Sequence, residues 1–145
     1  MCRKRGKAQR EGDDSGMIKL KLATCGQMEA AVSDVITRFE KEYMGRGPLE
    51  TKTYIIDDMV ITRLKGILTK AEMKLAKSAD TARARDLIKQ VRMELLESGR
   101  PILEDLIKRI TRRRVVSLHS DISTASGEKV IIFILDKPPE FAAVA

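Results

Sequence analysis

Apolar residues recur at spacings of three and four from Met28 through Val32, Val35 and Phe39 to Tyr43, with Ala31 and Ile36 widening the stripe. That is one face of an amphipathic helix. Gly26 opens it, and Gly45 stops it because glycine takes positive φ with no Cβ penalty. The period then changes. Residues 51–56 are β-branched and aromatic, Asp57-Asp58 is a turn signal, and residues 59–64 return, so a hairpin is predicted that Gly66 ends. Thr69 with Glu72 three residues on is a capping box for a short helix over 70–77. A long helix follows over 83–110. Its apolar positions Leu87, Ile88, Val91, Leu95, Ile102, Leu103, Leu106 and Ile110 keep phase across Gly99-Arg100-Pro101. Pro101 cannot donate to the carbonyl of Glu97, which predicts a kink or two abutting helices, and the unbroken phase favours the kink. Residues 115–121 and 129–135 read as two more strands joined by a polar loop. Residues 130–135 are apolar on both faces and predict a central strand covered on both sides. The order is α-ββ-α-α-ββ. It predicts an α+β fold, a four-stranded, mainly antiparallel sheet with helices packed on one face.

The chain has 145 residues, enough for one domain. Residues 1–25 read as a basic, flexible extension, 26–137 as the domain, and 138–145 as a tail beginning at Pro138-Pro139. Within the extension, Ile18 to Leu22 alternates like a short strand, and Met17 is an alternative start. With three Phe, two Tyr and no Trp, the core has to be aliphatic. The net charge of +7 favours nucleic acid, anionic lipid or an acidic protein as partner without choosing among them. No apolar run approaches the roughly 18 residues of a membrane span, and no apolar segment follows the basic N-terminus as in a secretory signal. A cytoplasmic protein is expected.

Candidate chemistry is sparse. Gly45-Arg46-Gly47-Pro48 resembles an anion cradle but lacks the strand–loop–helix setting of a P-loop. A helix cap and turn account for the glycines, and Arg46 suits a partner within its own fold or a ligand. Ser117, His119 and Asp121 alternate on one side of a strand. At roughly 6–7 Å separation they cannot form a hydrogen-bonded triad, although His119 and Asp121 remain candidates for a functional surface. Lys108, Arg109, Arg112, Arg113 and Arg114 form the densest basic cluster. A helix end favours such cations, and no aromatic interleaving or RNP-like motif marks it as a nucleic-acid site. One histidine and the displaced Cys2 and Cys25 give no metal-ligand spacing, and no cofactor is expected. The width of the apolar stripe on the long helix predicts a homodimer.

Four segments together, GQMEAAVSDVITRFEKEYMGRGP, TYIIDDMVITRLKGILTKAEMKLAK, LIKQVRMELLESGRPILEDLI and VVSLHSDISTASGEKVIIFILD, resemble the MpsC-like domain family. FEKEYMGRGP, the RLKG turn and VSLHSDIST are the most specific pieces, and the likeness covers about residues 26–137. The resemblance implies a small third component of a sodium-translocating, membrane-potential-generating system linked to inorganic-carbon supply. By that likeness the chain is a non-catalytic accessory or regulatory protein. Its partners would be a membrane ion- or bicarbonate-handling complex, with the chain peripheral to the inner face of the membrane. Gly45, Arg46, Gly47, Pro48, His119 and Asp121 are the expected functional surface. The alternative is a polyanion- or nucleic-acid-binding module that uses the cluster from Lys108 to Arg114. A small enzyme ranks last, because no acid–base pair stands out in the sequence.

Overall fold

The computed structural model describes residues 22–78 and 80–143. The expected extension before residue 22, including Cys2, Met17 and most of the alternating run, lies outside the described residues.

Helix α1 spans Cys25–Met44. Thr24 caps it, accepting from the backbone of Gln27 while the Gln27 side chain accepts from Thr24 N–H. It ends at Gly45, whose φ of 79° is the left-handed cap anticipated above. Strands β1 (Glu50–Ile56) and β2 (Met59–Lys65) form the hairpin. Asp57, at φ 58°, takes the turn. Helix α2 (Lys70–Ala76) begins with the Thr69–Glu72 capping box. Helix α3 runs unbroken from Thr81 to Thr111 with Pro101 inside it. The apolar phase is kept across the proline because the helix itself continues. Strands β3 (Val115–Ser123) and β4 (Glu128–Leu135) complete the chain of elements.

All strand pairings are antiparallel and the sheet order is β1-β2-β4-β3. The α+β class and the α-ββ-α-α-ββ order are those expected. α1 packs against β1 and β2, while α3 packs against α1, α2 and β3. The inward row carries Ile55, Val60, Leu64, Ile131, Phe133 and Leu135, all at most 2% exposed. Full burial of each such side chain stabilises the fold by about 1.5–3 kcal/mol. At the middle of the hairpin, Ser33, Thr53 and Thr62 form a hydroxyl chain at 2.8 and 3.1 Å from α1 into the sheet. Glu29 of α1 accepts from Ile55 N–H at 2.9 Å.

One expectation is corrected. β4 is central, lying between β2 and β3, but no helix or strand among the described residues covers its second face. All three helices lie on the inward side. On the other side Val130, Ile132 and Ile134 are only half-buried, shielded by neighbours in the same face such as Ile61, Met59 and Tyr54. Among the described residues the outward side of the run is an apolar sheet surface with no second layer over it.

The α1–α3 crossing depends on Gly99. A Cβ there would stand 2.5 Å from Phe39 Cε2 and 3.3 Å from Tyr43 Cε1. Phe39 and Tyr43 stack with ring centroids 4.6 Å apart, so the ring that meets Gly99 is itself held in place. Beyond β4 the chain does not leave the fold at Pro138. Phe141 packs against the core, and Ala142 N–H donates to Ala23 O at 2.9 Å.

Candidate functional site

The most unusual chemistry lies under the sheet. Lys129 shares the inward row of β4 with Ile131 and Phe133 and is 1% exposed. Its Nζ donates to Glu40 Oε1 at 2.6 Å, and Glu40, at 0% exposed, comes from the last full turn of α1. Arg92 of α3, 3% exposed, stands with its Nη1 3.8 Å from Glu40 Oε2. Its Nε and Nη2 donate to the two oxygens of Glu72 at 2.7 and 2.6 Å, a bidentate pair, and Nη2 also reaches Ile67 O at 2.9 Å. Two cations and two carboxylates from α1, α2, α3 and β4 thus form one network.

The network balances in charge but not in hydrogen bonds. Glu40 Oε2 and Arg92 Nη1 face each other without a hydrogen-bond partner. Burial pushes the Lys129 ammonium below its ordinary pKa, and the Glu40 carboxylate opposes that shift only in part. For Glu72, burial acts to raise the pKa, but the hydrogen bonds from Arg92 and Thr69 outweigh it and hold the carboxyl below its usual range.

Arg92 and Lys129 also form the floor of a cavity of about 310 Å³ between α3 and β3. Lys89, Glu97, His119 and Asp121 stand in its walls. At the rim, Lys89 Nζ donates to Asp121 Oδ1 at 3.0 Å, and Ile122 N–H donates to the same oxygen at 2.8 Å. The hydrogen bond from Lys89 is the main cause that holds the Asp121 carboxyl below its ordinary pKa. The cavity is therefore a recess of mixed character, with three cations and two carboxylates set among Met93, Leu96, Leu118 and Ile122. It can hold a small polar molecule, although most of its charges are already paired within the chain.

Of the residues singled out in the sequence, the structure brings His119 and Asp121 to this cavity. Arg46 is not among its lining residues. It sits half-buried at the α1–β1 corner, and its Nη1 donates to Leu68 O at 2.9 Å, joining that corner to the loop before α2. Gly47 lies against the Lys41 side chain, where a Cβ would meet Cγ at 3.2 Å. The hairpin does not lie beside β3, because β4 separates them.

The basic cluster is partly engaged. Arg109 pairs with Asp105 at 2.9 Å, and Arg113 Nε donates to Pro138 O at 3.0 Å. Arg112 ends α3 in the left-handed conformation at φ 57°. Lys108, Arg112 and Arg114 are exposed. Among the described residues, no three His, Cys, Asp or Glu side chains stand close enough to hold a metal ion, and no helix is long and apolar enough to cross a membrane.

Glu40, Glu72, Arg92 and Lys129 were not anticipated as site residues. A signal for three of them was present: each stands in the apolar phase of its element. Glu40 is four residues from Ile36 and Met44, Arg92 four from Ile88 and Leu96, and Lys129 two from Ile131.

Residues 24–137 match the family described as the Na+-translocating membrane potential-generating system (MpsC). The Bacillus subtilis (strain 168) uncharacterized protein YbcI is 46% identical over 110 residues, covering 76% of this chain and 86% of its own length. A second protein of that strain, the uncharacterized YrhF, is 25% identical over 107 residues, covering 72% of this chain and 84% of its own. No solved structure matches the chain.

Proposed function

The chain belongs to the family of the Na+-translocating membrane potential-generating system (MpsC), and from that premise we propose that it is a non-catalytic accessory component of such a system. The observation that carries this reading is the extent of the match. It covers every helix and strand described, from the α1 cap to the end of β4. On this reading the folded unit contributes by contact with other subunits, peripheral to the inner face of the membrane; family membership supports this. The charged groups support binding over catalysis. Lys129, Arg92 and Lys89 are held by Glu40, Glu72 and Asp121 within the fold. The component acts as a homodimer, a reading supported by the exposed apolar residues Leu87, Val91 and Ile102 on α3. His119 and Asp121 at the cavity, and separately the corner at Arg46, are the surfaces proposed to meet the membrane partner.

Co-purification from native membranes tests it. The wild-type chain should bring down an integral membrane protein, and Asp121→Ala or Arg46→Ala should weaken that capture. Capture of none by the wild type would overturn the reading. A polyanion-binding function has one observation in its favour, the exposed Lys108, Arg112 and Arg114 at the end of α3. It requires affinity for DNA or RNA that falls steeply with added salt. Salt-independent or undetectable binding near physiological ionic strength would remove it.

A further inference from the structure

We infer that β3 is a dimerisation edge: two copies join antiparallel about Ser120 into one continuous sheet, and each completes the cavity between α3 and β3 of the other. The inference rests on the homodimer reading above and assigns its surface.

β1 and β3 are the edge strands of the sheet. An edge strand turns every second backbone N–H and C=O away from its neighbour. The β1 edge is answered from within the chain. Glu29 accepts from Ile55 N–H, and the hydroxyls of Ser33 and Thr37 bind those of Thr53 and Thr51. The β3 edge is answered only at one end. Ile122 N–H donates to Asp121 Oδ1 at 2.8 Å, so it points away from β4. Because the direction alternates along a strand, Ser120 and Leu118 point the same way, and among the described residues their N–H groups have no partner. An extended backbone is the ligand that satisfies such an edge.

The strand itself identifies that backbone as a second copy. Ser117-Leu118-His119-Ser120-Asp121-Ile122-Ser123 reads the same in both directions by residue class, except that a histidine mirrors an aspartate. In an antiparallel pair centred on Ser120, Leu118 meets Ile122 of the partner subunit on the helix side. On the open side Ser117 meets Ser123 of the partner subunit, and His119 meets Asp121 of the partner subunit. His119 is exposed, and its side chain has no hydrogen-bond partner among the described residues. Lys89 and Ile122 both donate to Oδ1 of Asp121, which leaves Oδ2 for the imidazole. Ser120 N–H donates to Ser120 O of the partner subunit, and Leu118 N–H to Ile122 O of the partner subunit, each twice by symmetry. None of these bonds displaces one that the chain already makes.

The alternatives fail on the same residues. Sliding the partner by two residues sets His119 against His119 of the partner subunit in one direction, and Asp121 against Asp121 of the partner subunit in the other. A slip of one residue interchanges the faces. A parallel two-fold pair turns one copy over, so Leu118 and Ile122 of the partner subunit fall in the row of His119 and Asp121. Only the antiparallel pair about Ser120 opposes apolar to apolar and imidazole to carboxylate. That is the self-complementarity an isologous contact requires.

α3 continues the match above the strand. Lys89, Met93 and Glu97 recur every fourth residue and line the cavity with Leu118 and Ser120. The bond from Lys89 to Asp121 fixes this row beside the strand. Met93, at 59% exposed, is the most open of the large apolar residues on α3. In the pair it faces Met93 of the partner subunit, and Lys89 comes level with Glu97 of the partner subunit. An ammonium has three donors, so Lys89 reaches that carboxylate while it keeps Asp121. The cavity lies beside the joined edge and so gains a wall from the partner subunit.

Sedimentation of the full chain over a range of concentrations tests the interface. The wild type should dimerise reversibly. Ser120→Pro removes an N–H that the chain's own ladder does not use, and proline is tolerated at such an edge position. With circular dichroism unchanged, this variant should dimerise about tenfold more weakly or worse. His119→Asp and Asp121→His should each weaken self-association. An equimolar mixture of those two should recover it, because the mixed pair again opposes imidazole to carboxylate at both positions. If Ser120→Pro does not fold, the mixture carries the test alone. Wild-type dimerisation by folded Ser120→Pro would overturn the edge pairing, and a dimer lost instead in Val91→Glu or Ile61→Glu would move the interface to α3 or to the open sheet face. A mixture that stays monomeric would overturn the register. A chain monomeric at every concentration would overturn the homodimer and this interface together, and would leave membrane-protein capture to be judged separately.

Discussion

The two faces of the sheet differ in how their charged and apolar groups are held. The inward face, under three helices, contains a fully buried lysine and receives a buried glutamate and a buried arginine from the helices above it. The outward face, with no helix over it, carries Tyr54, Ile56, Met59, Ile61, Val130, Ile132 and Ile134 half-exposed. Charge is buried inside among the apolar core, while the outside leaves an apolar patch beside exposed ion pairs such as Arg63–Glu128 and Lys65–Glu50. The inner charges are tied to one another at 2.6–2.7 Å, so each depends on its neighbours. The outer apolar residues depend on little beyond their cross-strand pairs. Substitutions on the two faces should therefore differ sharply in cost.

The largest effect is expected for Glu40→Ala, which strands Lys129 and half of Arg92 as buried charges. Breaking a buried pair in this way costs about 3–5 kcal/mol, read as a shift of the urea unfolding curve. Replacing Glu40 and Lys129 together with methionine should recover most of that loss, because the pair is removed rather than orphaned. A double variant as unstable as the single one would show that the network's geometry, not its charge balance, holds the layer together.

Next comes Gly99→Ala. The added methyl meets the stacked Phe39 ring, and overpacking costs about 1–3 kcal/mol, offset only in part by about 1 kcal/mol of helix propensity. The smaller change at Arg46→Ala removes one hydrogen bond to Leu68 O at a half-buried corner, for about 1 kcal/mol. On the outer face, Ile61→Thr should cost less than about 1 kcal/mol, because the position is half-exposed and threonine is a good strand former. A loss there equal to that at Glu40 would abolish the contrast between the faces.

Acid provides a further separation. Glu72 has a folded pKa below its ordinary value, so its contribution is present above about pH 4.3 and is lost as the pH falls through the folded value. Unfolding midpoints measured from pH 5 downward should fall less steeply for Glu72→Gln than for the wild type. Equal slopes would assign the acid limb to other groups. Lys129 has the opposite sense. Its depressed folded pKa means that this group's cost eases as the pH rises from the folded value toward about 10.4.

Much of the fold was legible because period and punctuation agreed. The Thr69–Glu72 box, the Gly45 cap and the Asp57-Asp58 turn each stand where local chemistry put them. The continuity of α3 through Pro101 was legible in its unbroken apolar phase. The open face was not. An apolar strand reads the same whether a second layer or only its neighbours shield it, and residues 130–135 carry no mark of the difference. The buried network was half-legible. Arg92 and Lys129 stand where the periodicity demands an apolar residue, but periodicity alone cannot supply their partners. Glu40 and Glu72 are 52 and 20 positions from Arg92 in the chain, and only the packing of α1 and α2 beside α3 brings them together. Arg46 had a single unexplained guanidinium, and its partner proved to be a carbonyl, which no side-chain pattern announces.

The network over Lys129 also carries a rule for comparing relatives. Each of its four members belongs to a different element, and each balances a charge that the others cannot shed into water. Drift at one position is therefore conditional on the other three. Relatives should either keep all four ionic groups or exchange them as a set, and a chain that retains Lys129 without a carboxylate at the position of Glu40 should have restructured the end of its first helix.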